Sequence, residues 1–186
     1  MKIKRLAQVF VLLWASFLLL QNTAAQSLSP EQAYAAIPHA RTVFDVSQSK
    51  LSTKNKEALK QLFALCDQGV VLRVEAMQAF AEKDKARLQY ASLRYTGLIQ
   101  AVQSLALPTE LKNVQNLIAR ALQDHQQFYR IKQEQLGHQA WRLSDEAMQA
   151  SQKLHQSYAN LMQLFPEETA HNRQAFFDYL CALDFL

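Results

Sequence analysis

Five histidines and two cysteines are the residues of this chain best suited to chemistry, and their spacing limits what that chemistry can be. His125 falls on an apolar stripe, four residues after Ala121 and three before Phe128. A neutral imidazole there can act as an axial haem ligand, with Met77 or Met148 on another helix opposite it; the simpler reading is a core histidine. No Cys-x-x-Cys-His occurs, which excludes the usual covalent haem attachment. Met148, His155 and Met162 recur at seven-residue steps, a soft-ligand set of the kind copper takes. Seven helical residues span about 10.5 Å, too far to clasp one ion, so these read first as packing residues.

Glu168-Thr-Ala-His171 has the Glu-x-x-His spacing of ferritin-like dimetal sites, but no second copy accompanies it. Glu134 and His138 stand one helical turn apart and also lack companions. His39 and Arg41, in the stretch Pro-His-Ala-Arg, form the exposed polar pair best suited to an anionic ligand, set against the simpler reading of a solvated loop. Gly-x-Ser-x-Gly, His-Glu-x-x-His and glycine-rich phosphate loops are all missing. No catalytic set and no metal site is therefore assigned, and no cofactor is expected; haem or a transition metal held by His125 or His155 is the alternative.

Cys66 sits in the apolar setting Leu-Phe-Ala-Leu-Cys, which disfavours a nucleophilic thiolate. Cys181 lies in a C-terminal stretch, Ala-Phe-Phe-Asp-Tyr-Leu-Cys-Ala-Leu, too apolar to be a frayed end. In an oxidising compartment a Cys66–Cys181 disulfide is the expected state, fastening the tail to the first long helix; two buried thiols are the alternative.

That compartment follows from the chain's first residues. Lys2, Lys4 and Arg5 precede an apolar run over 6–20, and Thr23, Ala24 and Ala25 follow, the pattern of a secretory signal peptide cleaved after Ala25. The run is shorter than the ~18–20 residues of a membrane span. Removing the 25-residue leader leaves 17 basic against 16 acidic side chains, spread without a basic cluster. No nucleic-acid partner is expected on that ground, and attachment to acidic lipid by charge is disfavoured. The expected location is periplasmic or secreted, with no transmembrane segment expected once the leader is gone.

The residues above must be positioned by helices. Only three glycines and four prolines occur, and Ala, Leu, Gln, Lys and Glu dominate. Apolar residues at three- and four-residue steps run from Leu59 to Leu105, from Leu111 to Leu143 and from Ala147 to Phe165. Asp84 and Ser144 interrupt these runs, either as N-caps between helices or as solvated positions within longer ones. With both breaks, the fold is an all-α, antiparallel up-and-down bundle of four long segments plus a short C-terminal helix starting near Pro166. Without them it is a long two-helix hairpin, which would leave the apolar tail less to cover. The bundle is the expected fold, with Phe176, Phe177, Leu180 and Leu183 as the tail's buried face. The expected organisation is a leader over 1–25, a short helix and surface-wrapping segment over 26–51, and the bundle over 52–186.

Leu28-Ser-Pro-Glu-Gln32 is similar to the Leu-Thr-x-x-Gln motif of small periplasmic stress chaperones, with serine in place of threonine. The likeness covers five residues and implies an all-helical exported protein that holds unfolded clients. Ser-Pro-Glu-Gln is equally a good helix start. The function expected from the whole chain is a non-catalytic binding or interaction module of a bacterial-type envelope, meeting an envelope protein partner. A haem- or metal-binding bundle and a stress chaperone are the alternatives.

Overall fold

The computed structural model describes residues 27–136 and 144–184; the expected leader and His138 lie outside the described residues. Within these, the chain is an all-α bundle of six helices packed on one another, with no strand. They are α1 (Pro30–Ala35), α2 (Thr53–Ala81), α3 (Lys85–Ser104), α4 (Lys112–Glu134), α5 (Asp145–Leu164) and α6 (Ala170–Cys181). No helix among the described residues is long and apolar enough to cross a membrane.

Both questioned breaks are real, and each has a local cause. The Asp84 carboxylate accepts the Arg87 amide at 3.0 Å, satisfying one of the orphan donors that open α3. Just before it Lys83 adopts a left-handed φ of 57°, which reverses the chain. Ser144 caps α5 through the Ala147 amide, and Asp145 and Glu146 place negative charge at the positive helix start. Ser29 and Gln32 form a reciprocal capping box around α1, with Pro30 at its first position.

Consecutive helices run antiparallel. Glu75 of α2 meets Arg94 of α3, and Gln126 of α4 reaches the Ser92 carbonyl and the Thr96 hydroxyl of α3. Lys153 of α5 pairs with Asp124 of α4 at 2.6 Å. The last helix does not begin at Pro166. Residues 166–168 form a turn, and α6 starts at Ala170 behind the Thr169 cap, because the Glu168 carboxylate is spent on another segment. Helix α6 then lies between α5 and α2 and runs parallel to α2.

The core is built from Phe63, Tyr95, Phe128, Tyr129 and Phe176, all fully buried, with leucines from every long helix around them. Phe176, Leu180 and Leu183 point inward as expected, but Phe177 is 43% exposed and packs edge-on against Tyr158; Tyr179 takes the inward position instead.

The expected disulfide is absent: Cys66 and Cys181 are both free thiols. The reason is which face of α6 meets α2. Tyr179 stacks on Phe63, and Leu183 reaches Gly69. Cys66 is wholly buried, whereas Cys181 is turned to the partly exposed side of its helix, so the two sulfurs do not face each other.

Candidate functional site

The described histidines and cysteines nominated by sequence are scattered through the fold and do not converge on one site. His39 and Arg41 do not act as a pair. Arg41 grips Asp67 of α2 with a two-pronged fork, Nε–Oδ1 at 3.2 Å and Nη2–Oδ2 at 2.6 Å. Its remaining Nη1 reaches Glu31 at 2.9 Å, and the guanidinium lies over the Tyr34 ring. This bidentate geometry holds the arginine more firmly charged than usual, with the Asp67 hydrogen bonds as the main cause.

His39, half-buried, faces the other way. Burial lowers its pKa, the Arg73 charge lowers it further, and Asp184 and Asp178 oppose both. Asp184 is also where His155 arrives: its Nε2 is 3.5 Å from Asp184 Oδ2, while Ser151 Oγ donates to the same oxygen at 2.7 Å. A serine, a histidine and an aspartate thus meet, but in the wrong order for nucleophilic catalysis. In a relay the imidazole stands between hydroxyl and carboxylate. Here the carboxylate stands between them, so the hydroxyl proton is committed to Asp184. The nearby Cys181 thiol is pushed up by burial and then by Asp184 and Asp178, and burial pushes Cys66 up further, so both stay protonated.

His125 is fully enclosed, with its ring edge-on to Tyr95 at 6.4 Å. Burial, and secondly the Arg73 charge, press its pKa down to about 3, so the imidazole is neutral. Met148 is 47% exposed on α5 and so does not face this enclosed ring. Met148 and His155 point to solvent while Met162 packs partly on the core, so the seven-residue set does not converge. Among the described residues no group of three or more His, Cys, Asp or Glu side chains could hold a metal ion.

Glu168 and His171 hold backbone instead of metal. Glu168 accepts the Ser49 hydroxyl, the Lys50 amide at 3.2 Å and the Thr169 amide at 2.7 Å. His171 Nε2 bonds the Val43 carbonyl at 2.9 Å. Asn172 takes the Asp45 amide and returns its own N–H to the Asp45 carbonyl, and Asp178 takes the Thr42 amide. Polar side chains of α6 and of Glu168 just before it therefore clamp residues 42–50 as a strap that turns at 46–48. Phe44 anchors it, buried between Phe63 and Phe176.

What the fold leaves open is a groove between α2 and α3. Its wider part, of about 450 Å³, has a floor of Val71, Leu72 and Leu98, a lip of Leu28 and Pro30, and Arg94 and Gly97 on its α3 side. A narrower part of about 130 Å³ continues past Arg94 to Glu75, Arg87 and Tyr90. Glu75 is held by the Leu28 amide and by Arg94.

Gly97 is the informative residue there. Glycine inside a helix costs about 1 kcal/mol relative to alanine and needs a reason. Gly69 of α2 has one, since a Cβ would lie 2.6 Å from the buried Leu183 side chain. At Gly97 a Cβ would meet nothing within 4 Å. The same helix exposes Tyr90 (63%) and Leu93 (64%) beside it.

The inward stripe of α3, Leu88, Ala91, Tyr95, Leu98 and Val102, follows the periodicity. Tyr90, Leu93, Arg94 and Gly97 were not singled out by it. The available signal was a large apolar residue, Leu93, on a helix whose inward stripe was already complete. Comparison of the chain with models of protein families, with characterised proteins and with solved structures finds no match.

Proposed function

We propose that the chain is an exported, non-catalytic interaction module, and that the α2–α3 groove with the adjoining outer face of α3 is where it meets a protein partner. The observation that carries this is Gly97, a helical glycine with open space where its side chain would be. Clearance of that kind serves close approach of something outside the chain. Tyr90 and Leu93, large and exposed beside the groove, extend the apolar surface beyond what a small ligand in the groove would cover. The ionisable clusters supply no competing chemistry: Arg41, Glu168, Asp178 and Ser151 are engaged in holding the strap and the tail. Export is supported by the basic, apolar and small-residue succession at the start of the chain.

The test is a plug. Gly97→Trp fills the groove from a position where added atoms meet no neighbour, so circular dichroism and Tm are expected to match the unaltered protein. Formaldehyde crosslinking in producing cells is expected to trap a complex that Gly97→Trp loses and Phe177→Ser, on the opposite helix pair, retains. An unchanged complex with Gly97→Trp removes the groove as the docking surface. Intact mass of the exported protein is expected to begin at Gln26; an uncleaved leader removes the export claim.

A further inference from the structure

We infer that the partner on this face is a second copy of the chain, docked with α3 antiparallel to α3 about a two-fold axis through Leu93. This rests on the outer face of α3 being a docking surface.

The exposed positions Ala86, Tyr90, Leu93, Gly97 and Gln100 follow one another by four, three, four and three residues, the spacing at which two helices pack knobs into holes. The row is uncharged, and reversed about Leu93 its positions fall within one residue of themselves. Tyr90 and Gly97 stand three and four residues to either side of Leu93, so an antiparallel copy sets each Tyr90 over the other's Gly97. There the ring enters the wider part of the groove, over Leu98 and beside Arg94. That cavity of about 450 Å³ accommodates a phenol ring, and its guanidinium offers the ring a cation–π neighbour, as Arg94 already does for Tyr90 of its own chain at 5.8 Å. Leu93 meets Leu93 at the axis.

Charge also favours a like partner. A face dominated by one sign selects a partner of the other. Of the three charges on α3, Arg87 and Arg94 are each paired within the chain, to Glu82 and Glu75, and Lys85, eight residues from Leu93, would stand about 24 Å along the axis from its own copy. Two such faces therefore meet without uncompensated like charges. One helix pair with a groove edge forms a small interface, so a reversible dimer of micromolar affinity is expected.

Sedimentation velocity of the purified protein, from low-micromolar to submillimolar concentration, is expected to show a monomer–dimer equilibrium. Tyr90→Ala and Leu93→Glu are each expected to weaken it at least ~30-fold with unchanged melting, as for central anchors of an interface. Under oxidation Leu93→Cys is expected to give a disulfide-linked dimer. Gln100→Cys is not, because its two copies would lie about 20 Å apart along the axis. A monomer at every concentration, or crosslinking through Gln100→Cys instead of Leu93→Cys, overturns the inference. A photo-reactive residue at position 93 in producing cells separates this inference from the docking face itself. An adduct of twice the chain mass supports both; an adduct only with a different protein removes the second copy and keeps the docking face; no adduct removes both.

Discussion

The Tyr179 ring lies flat on Phe63, with centroids 4.5 Å apart and 3° between planes. This stack, extended by Phe176 and Phe44, is how α6 is held to α2 where a sulfur bridge was expected. Both thiols should therefore react with a thiol reagent after unfolding without prior reduction, and reductant should leave Tm unchanged. Phe63→Ala removes the ring against which Phe44, Phe176 and Tyr179 all pack. A loss of about 3–5 kcal/mol in chemical denaturation is expected, as for other buried aromatic truncations. A chemically intact disulfide by mass spectrometry would contradict the first expectation, and a loss under 1 kcal/mol the second.

The strap should be acid-sensitive through Glu168. Burial alone would raise the pKa of this carboxyl, but hydrogen bonds from Ser49, Thr169, Lys50 and Asn172 outweigh it and hold it below the usual 4.5. A group depressed in the folded state stabilises it fully above the unfolded pKa and ceases to as pH falls through the folded one. Below pH 4.5 the strap contacts are therefore expected to weaken. The amide resonances of Lys50 and Thr169 should shift together with that titration, and Glu168→Gln should abolish the shift and cost about 1–2 kcal/mol at neutral pH. Independent movement of the two amides would show that Glu168 does not hold both.

His125 acts in a higher window. Its pKa is 6.5 in an unfolded chain and about 3 in the enclosed site, so the folded state resists protonation that the unfolded state accepts. Stability is complete above about pH 6.5 and is lost as pH falls toward 3, by roughly 1.4 kcal/mol per pH unit. Between pH 6.5 and 5 ordinary carboxylates contribute little slope, and His39, also lowered by burial, adds its own share, so the part due to His125 in urea denaturation is read by difference from a variant. His125→Phe is expected to flatten that slope. An unaltered slope would show that the histidine is not what titrates.

The two described glycines should respond in opposite directions. Gly97→Ala adds a methyl to open space and gains helix propensity, for about 0.5–1 kcal/mol of added stability. Gly69→Ala drives a methyl toward Leu183, Leu122 and Leu98, of which Leu183 and Leu122 are almost wholly buried, and a net loss of about 1–3 kcal/mol is expected. Thermal melts of the two single variants decide it; equal signs would remove the contrast on which the docking face stands.

Helices, their caps and the inward stripes were legible because their causes are local. The Asp84 cap needs only an amide three residues on, and the periodicity of Leu88, Ala91, Tyr95 and Leu98 is a property of one helix. Which residues meet across the chain was not legible, because it depends on how helices slide when the whole core packs. The packing that turns Tyr179 and Leu183 toward α2 leaves Cys181 partly exposed, away from the buried Cys66, brings His155 onto Asp184 and seats Leu183 against Gly69. The start of α6 moved for the same reason, with Glu168 drawn to Ser49 and Lys50 more than a hundred residues away. Sequence by itself determined an all-helical chain with an apolar tail, since backbone hydrogen bonds and apolar spacing are set within a few residues. Only the tertiary structure decided that aromatic rings hold that tail and that α3 keeps an unused face, since volume is allotted between elements and not within them.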